Sequence, residues 1–401
     1  METHRPPFTC RLDALGMVNA LGRSAEEIWP RALDGDQSHL QLRDDLVPNR
    51  SLLVGAVPGA LPRVPDSLRR FDCRNNSMTL AALESIEDSI RDVVAAVGRD
   101  RIAVVMGTST SGVGDAEAAI AHQIETGSLA PEFHYVQLEL GGVATFVAEL
   151  LGLRGPAYTI STACSSGARA LASARSLLAL GLADAVVAGA TDTLCGLTTN
   201  GFTALQVVAD EVSNPCSANR SGLTLGEGSA LFLVTGESGG IRLRGVGESS
   251  EAHHMSSPDP HGEGAIAAMR GALDDAGLAP DAIAYLNLHG TGTRLNDAME
   301  CRAVARTFPN PPPCSSSKPL FGHGLGAAGA LEAGLCWLTL REPTDGRISL
   351  VPHVYDGVWD PEVPEIPLTT KGMQVPIGPV MSNSFGFGGS NCCLILEVSP
   401  T

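Results

Sequence analysis

Apolar positions along the chain fall into short unbroken runs separated by longer amphipathic stretches. RIAVVMG (Arg101 to Gly107) and ADAVVAGA (Ala183 to Ala190) are continuous apolar runs of strand length, and TLAALESIEDSIRDVVAAV ahead of them has helical periodicity. A strand without polar alternation is covered on both faces, so these runs, alternating with helices, predict a parallel sheet. After ALFLVTGESGG the pattern starts again, with IRLRGVGESS, the helix-like GAIAAMRGALDDAG and a strand in AIAYLNLHG. The restart predicts two similar halves, residues 1–240 and 241–401, meeting near Gly239–Gly240. No low-complexity tract or long linker divides them, so they are expected to pack as one body. The proline-rich pieces TFPNPPPCSSSKP and VPHVYDGVWDPEVPEIP read as ordered surface or active-site loops.

Composition narrows the picture. The 401 residues are 44% apolar but only 4% aromatic, which points to a core of Ala, Val, Leu and Gly suited to tight helix-on-sheet packing. A formal net charge of −17 argues against nucleic-acid or anionic-membrane binding, because phosphate contacts need clustered Lys and Arg. An acidic partner must then dock on a local basic patch. The opening METHRPPFTCRLDALGMVNALG lacks a basic region followed by an apolar one, and no segment offers the ~20 uninterrupted apolar residues of a membrane helix, so a cytoplasmic protein with no membrane insertion is expected. The ten cysteines are scattered without CxxC spacing, which predicts buried thiols rather than disulfides or a metal site.

Four motifs carry candidate chemistry. In TISTACSSGARALASARSLLALG, Cys164 lies between a β-like run and a helix. A thiol at a helix start feels the positive end of the dipole, which predicts a lowered pKa and available thiolate. The small residues Ser161, Ala163, Ser165, Ser166 and Gly167 allow a sharp turn that would expose the sulfur. Yet a lone cysteine is more often core, and this stretch does not decide the matter. NLHGTGTRLNDAMEC places His289 at a strand end, and SSSKPLFGHGLGAAGALEAG has Lys318 five positions before His323. MSNSFGFGGSNCCLILEV has a glycine-rich turn leading into a strand. Each alone fits a satisfied histidine, helix packing or an ordinary hairpin.

Taken together and in this order, the motifs resemble those of the β-ketoacyl-acyl carrier protein synthases, in the branch with a Cys-His-His triad. The resemblance runs from ALGMVNALG to NSFGFGGSN, with NPCSANRSGLTLGEGSALFLV similar to the family's glycine-glutamate-glycine segment. It implies a thiolase-like layered αβαβα fold built from two similar halves. By position it makes Cys164 the nucleophile, His289 and His323 the paired histidines, and Lys318 and Glu300 a supporting charged pair. Phe387 becomes the gate, its backbone N–H joining that of Cys164 in the oxyanion hole, and Thr291 and Thr293 fall where the pantetheine arm is contacted. One departure stands out: Arg220-Ser221 replaces the family's usual Arg-Asp pair, which puts a local salt bridge in doubt.

The implied reaction is decarboxylative Claisen condensation of a cysteine-bound acyl group with malonyl-carrier, in fatty acid or polyketide and polyene synthesis. No resident cofactor or metal is expected, since the phosphopantetheine belongs to the acyl carrier protein. A homodimer is implied, or a heterodimer with a related subunit. In SLRRFDCRNN, Arg69, Arg70 and Arg74 are the candidate carrier patch, against an equal reading as a solvated helix start. In MGTSTSGVG, Thr110 takes the acyl-pocket position, where a hydroxyl predicts preference for short, rigid or unsaturated acyl groups, against the blander reading that it bonds locally. A thiolase would use a second cysteine, for which Cys392 and Cys393 are candidates. An initiating condensing enzyme would carry Asn in place of His323, a chain-length-factor subunit would lack Cys164, and a cysteine protease would leave Lys318 and the second histidine unexplained.

Overall fold

The computed structural model describes residues 8–399; residues 1–7, part of the opening in which no leader was read, and 400–401 lie outside them. Ten strands form one continuous sheet. They are β1 (Cys10–Val18), β2 (Ile102–Gly107), β3 (Ala157–Ile160), β4 (Ala185–Asp192) and β5 (Gly228–Thr235). After residues 236–240 come β6 (Ile241–Ser250), β7 (Tyr285–Asn287), β8 (Cys314–Ser315), β9 (Val380–Gly386) and β10 (Ser390–Val398). The spatial order β8-β7-β9-β10-β6-β1-β5-β4-β2-β3 contains the same sub-order twice: first, fifth, fourth, second, third strand, reading out from the centre. The short β1–β6 pairing at Cys10 and Arg11 joins the two sets.

The helices used below are α1 (Arg74–Glu84), α2 (Glu87–Val97), α3 (Val113–Thr126), α4 (Gly142–Leu151), α5 (Ser166–Ala179), α6 (Gly196–Ala204), α7 (Glu263–Ala276), α8 (Arg294–Thr307) and α9 (Ala328–Arg341). α5 and α9 pack on each other and touch strands of both sets, while α1 and α4 cover the outside of one set and α7 and α8 that of the other. The result is five layers, αβαβα. The central crossing is close because it is made by glycines: a Cβ on Gly167 would stand 2.6 Å from the Ala330 nitrogen, and one on Gly329 2.7 Å from the Ala168 nitrogen. The small-residue composition of GARALASA and GAAGALEAG is thus a packing requirement.

Two expectations need correction. The sheet is mixed rather than parallel: β2, β3 and β4 run parallel, as do β7, β8 and β9, but β1, β5, β6 and β10 pair antiparallel. Continuous apolar runs report burial of both faces, and helices cover antiparallel strands here as well. Residues 79–97 are also not one helix. α1 ends at Glu84 and α2 begins at Glu87, where Glu87 and Asp88 place negative charge on its first turn.

Candidate active site

Loops after the third and fourth strands of the first set and after the second, third and fourth strands of the second set line one cavity of about 350 Å³. Cys164 comes from the loop between β3 and α5. Ala163 before it has φ of 51°, a left-handed conformation that costs an alanine on the order of 1–3 kcal/mol and persists only when its surroundings enforce it. Two serines do so: the Ser166 hydroxyl donates to the Ala163 carbonyl at 2.6 Å and accepts from the Thr162 N–H at 2.8 Å, and the Ser165 hydroxyl donates to the Thr162 carbonyl at 2.8 Å. The TACSS sequence therefore builds the turn that aims the sulfur into the cavity.

Across from it, His323 Nε2 lies 3.1 Å from Cys164 Sγ, and the reactive atoms of Cys164, His289 and His323 all fall within 4.8 Å of one another. The imidazole rings meet edge to face, centroids 5.4 Å apart. Each Nδ1 faces a donor. For His323 it accepts the Leu325 backbone N–H at 3.2 Å, and for His289 the Lys318 ammonium stands at 3.3 Å. Both rings must then carry their proton on Nε2, toward the cavity. Burial and the charge of Lys318 hold both histidines well below the usual imidazole range, so they are neutral donors. The same geometry does not suit a metal, whose histidine ligands need a free Nε2 lone pair and a hydrogen on Nδ1 that donates outward.

The charged pair around His289 differs from the expected one. Lys318 is bonded to Glu332 and to the His289 carbonyl, not to Glu300. Glu300 instead accepts the backbone N–H groups of His289 and Gly290 at 2.8 and 2.7 Å, and the Asn383 amide at 3.1 Å, so it fixes the backbone beneath the histidine. Both carboxyls are pushed up to about 7 by burial, against hydrogen bonds to Glu300 and the charge of Lys318 on Glu332. Glu332 was legible only indirectly: it is the one acidic residue in a helix that is apolar but for Thr339 and the terminal Arg341, and a wholly buried carboxylate needs a partner.

Cys164 also departs from expectation. Burial pushes its thiol up to about 11, although the charge of Lys318 and the backbone N–H of Phe387 pull the other way. The backbone N–H groups of Phe387 and of Cys164 itself lie close enough to the sulfur to favour its thiolate form. The Phe387 ring stands 5.7 Å from that of Phe202 and is partly exposed, while Thr291 and Thr293 line the cavity with their hydroxyls 2.9 Å apart.

Other candidates are placed elsewhere. Thr110 does not line the cavity; it is wholly buried and its hydroxyl donates to Asp192 at 2.7 Å, so its partner is neither substrate nor its own backbone. Of the arginines named as a carrier patch, Arg74 binds the buried Glu227 with its guanidinium while its side chain stays 42% exposed. Arg70 pairs with Glu149 and Arg69 stands 4.0 Å from Glu132, but both side chains stay exposed, at 50% and 61%. Arg220 keeps an ion pair despite Ser221: its partner is Asp360, at 2.6 Å, from the proline-rich loop. Cys392 and Cys393 lie within β10, buried and away from the cavity lining.

Comparison with known proteins agrees with this arrangement. The family model for the β-ketoacyl synthase N-terminal domain matches residues 15–238, and that for the C-terminal domain residues 241–344. The chain is 29% identical to 3-oxoacyl-[acyl-carrier-protein] synthase 2 of Staphylococcus aureus, over 96% of this chain and all of the relative. It is 30% identical to the protein of that name from Coxiella burnetii, over 99% of each. Among solved structures, a chain from a ketosynthase in complex with its chain length factor from Xenorhabdus doucetiae matches with a TM-score of 0.92 and 42% identity, covering all of both chains. This chain belongs to the β-ketoacyl synthase family. It is a condensing acyltransferase of fatty acid or polyketide biosynthesis, and no helix among the described residues is long and apolar enough to cross a membrane.

Proposed function

We propose that this member of the β-ketoacyl synthase family condenses an acyl group held on Cys164 with malonyl-acyl carrier protein, giving 3-oxoacyl-carrier and CO₂. The observation that carries the reading is the shared orientation of the two histidines: both present Nε2–H to a space beside a thiol. In the first half-reaction Cys164 attacks the acyl thioester. The tetrahedral oxyanion is held by the N–H groups of Cys164 and Phe387, and the thiol proton ends on the departing pantetheine sulfur. In the second, malonyl-carrier loses CO₂ and the enolate oxygen is received by the Nε2–H groups of His289 and His323. The enolate carbon then attacks the acyl-cysteine and releases the product. Neutral histidines suit this step, because a donor keeps its proton throughout.

Phosphopantetheine arrives on the carrier, so the enzyme needs no cofactor of its own, and Thr291 and Thr293 are positioned to meet the arm. Arg69 and Arg70 remain the docking residues of this reading, and the cytoplasm its compartment. The halves are residues 1–240 and 241–401, a division supported by the repeated strand order. We further propose a dimer, with a related chain-length-factor subunit as the favoured partner on the strength of the 42%-identical structure. The face for it includes exposed Ile120 and Ile124 on α3, Tyr135 and Leu138 beside them, Leu197 on α6 and the open edge of β3.

Intact-mass analysis with a panel of acyl-carriers tests the core of the reading. A single acyl adduct should appear on the wild type and be absent from Cys164→Ala. An acyl group mapped to Cys392 or Cys393 would overturn the assignment.

A further inference from the structure

Asp192, the last residue of β4, is a wholly buried carboxylate to which the condensation gives no task. A buried carboxylate is tolerated only when its oxygens are richly bonded. Oδ1 accepts the Thr108 and Thr110 hydroxyls, both at 2.7 Å, and the Ser109 and Thr110 backbone N–H groups, both at 2.8 Å. Oδ2 accepts the Ser109 N–H at 2.9 Å and the Gly326 N–H at 2.6 Å.

The bond to Gly326 reaches toward the histidines. Leu325 has φ of 51°, a left-handed backbone that a branched side chain holds only under constraint. Its N–H is the donor to His323 Nδ1. Successive N–H groups of one turn therefore point to His323 and to Asp192. The turn has no room for another arrangement, because a Cβ on Gly326 would stand 2.6 Å from Asp192 Oδ2 and 2.7 Å from Ser109 Oγ.

We propose that Asp192 is a positioning residue: by holding Gly326 it keeps the Leu325 N–H on His323 Nδ1, and so keeps the His323 proton on Nε2, toward the reacting centre. The proposal rests on the role given above to His323. It also accounts for the two threonines of the 108–110 loop, whose hydroxyls close the cradle around the carboxylate.

Asp192→Asn is the direct test. Both oxygens of Asp192 face backbone N–H groups that cannot reverse, so the new amide nitrogen opposes a donor wherever it sits. The kcat for CO₂ release from malonyl-carrier should fall about 30-fold with KM within about two-fold, while acylation of Cys164 falls less than about five-fold. Gly326→Ala breaks the same contact from the other side without changing a charge and should give the same split; if Asp192→Asn is insoluble, it decides alone. A thermal melt reports the folded fraction of each. Equal loss of both half-reactions would make Asp192 a purely structural anchor and overturn the proposal, as would wild-type CO₂ release in either soluble variant. His323→Ala separates the two readings. If it releases CO₂ normally the role of His323 falls, whereas a crippled His323→Ala beside an unaffected Asp192→Asn removes only the present proposal.

Discussion

The two strand sets place loops at the same three positions and use them differently. In the second set all three open onto the cavity: His289 follows β7, His323 follows β8 and Phe387 follows β9. In the first, the loop after β3 does, with Cys164, and so does the long connection after β4, with Phe202, Leu205 and Val207, while the loop after β2 and the end of β4 itself turn inward and bond to each other through Thr108, Thr110 and Asp192. A repeated scaffold has thus divided its labour. In the proposed reaction the first set supplies the covalent anchor on a braced turn, one oxyanion donor beside it and part of the cavity wall, and the second supplies Phe387 and the two histidines that receive developing charge. The fixed hydrogen-bond donors of a synthase matter at two different oxyanions, and placing the two sets of loops face to face lets one cavity serve both.

That division makes its largest prediction for the histidines. Removing a donor aimed at a developing oxyanion costs about 10²–10³ in rate, so His289→Ala and His323→Ala should each lower CO₂ release by about that factor. Acyl loading, which depends on the first set and on Phe387, should fall far less in both. Measuring the two half-reactions separately on each variant checks the claim, and equal losses in both would erase the distinction between the sets.

A smaller effect sharpens the first set's side. The thiol stands at about 11 rather than its ordinary 9.0, so at neutral pH Cys164 rests protonated. The thiolate fraction climbs about ten-fold per pH unit below the pKa, and because the folded protein raises this group that climb extends past pH 9. Alkylation of Cys164 by iodoacetamide, read by mass spectrometry, should follow that slope from pH 7 to 10; a plateau before pH 9 would show the braced turn activating the sulfur on its own.

The same thiol shows where sequence ran out. Its position before α5 was legible from small residues around one cysteine, and so was the turn that aims it. Its charge state was not, because two effects compete. A helix start favours thiolate by typically 0.3–1 kcal/mol, whereas the displacement from 9.0 to about 11 amounts to about 3 kcal/mol against it. Burial wins, and the groups that stand beside the thiol, His323 and the Gly386–Phe387 turn, are distant in the chain. Glu332 escaped for a similar reason: its partner Lys318 is 14 residues away, on a segment joined to α9 by the His323 turn. The partner of Arg74 was out of reach in the same way, because the carboxylate it holds lies 153 residues further on. Residues whose work is set by their own turn could be read from local pattern, and those whose work is set by packing could not.

Thr110 offers the finest test of the division, since its position in the family suggested a pocket residue and its hydroxyl belongs to the Asp192 cradle. It also accepts the Thr193 N–H at 3.2 Å, so the side chain bridges β2 and β4 inside the first set. Thr110→Val preserves the branched shape and deletes only these bonds. Leaving buried groups short of a partner costs about 1–3 kcal/mol, so in a chain of this size the variant should melt about 1–4 °C lower. Because Thr110 does not line the cavity, competition between short unsaturated and long saturated acyl-carriers for Cys164 should give the wild-type ratio. A shifted ratio with an unchanged melting temperature would mean that the inward-facing loop after β2 reads the acyl chain after all, although it stands outside the cavity lining.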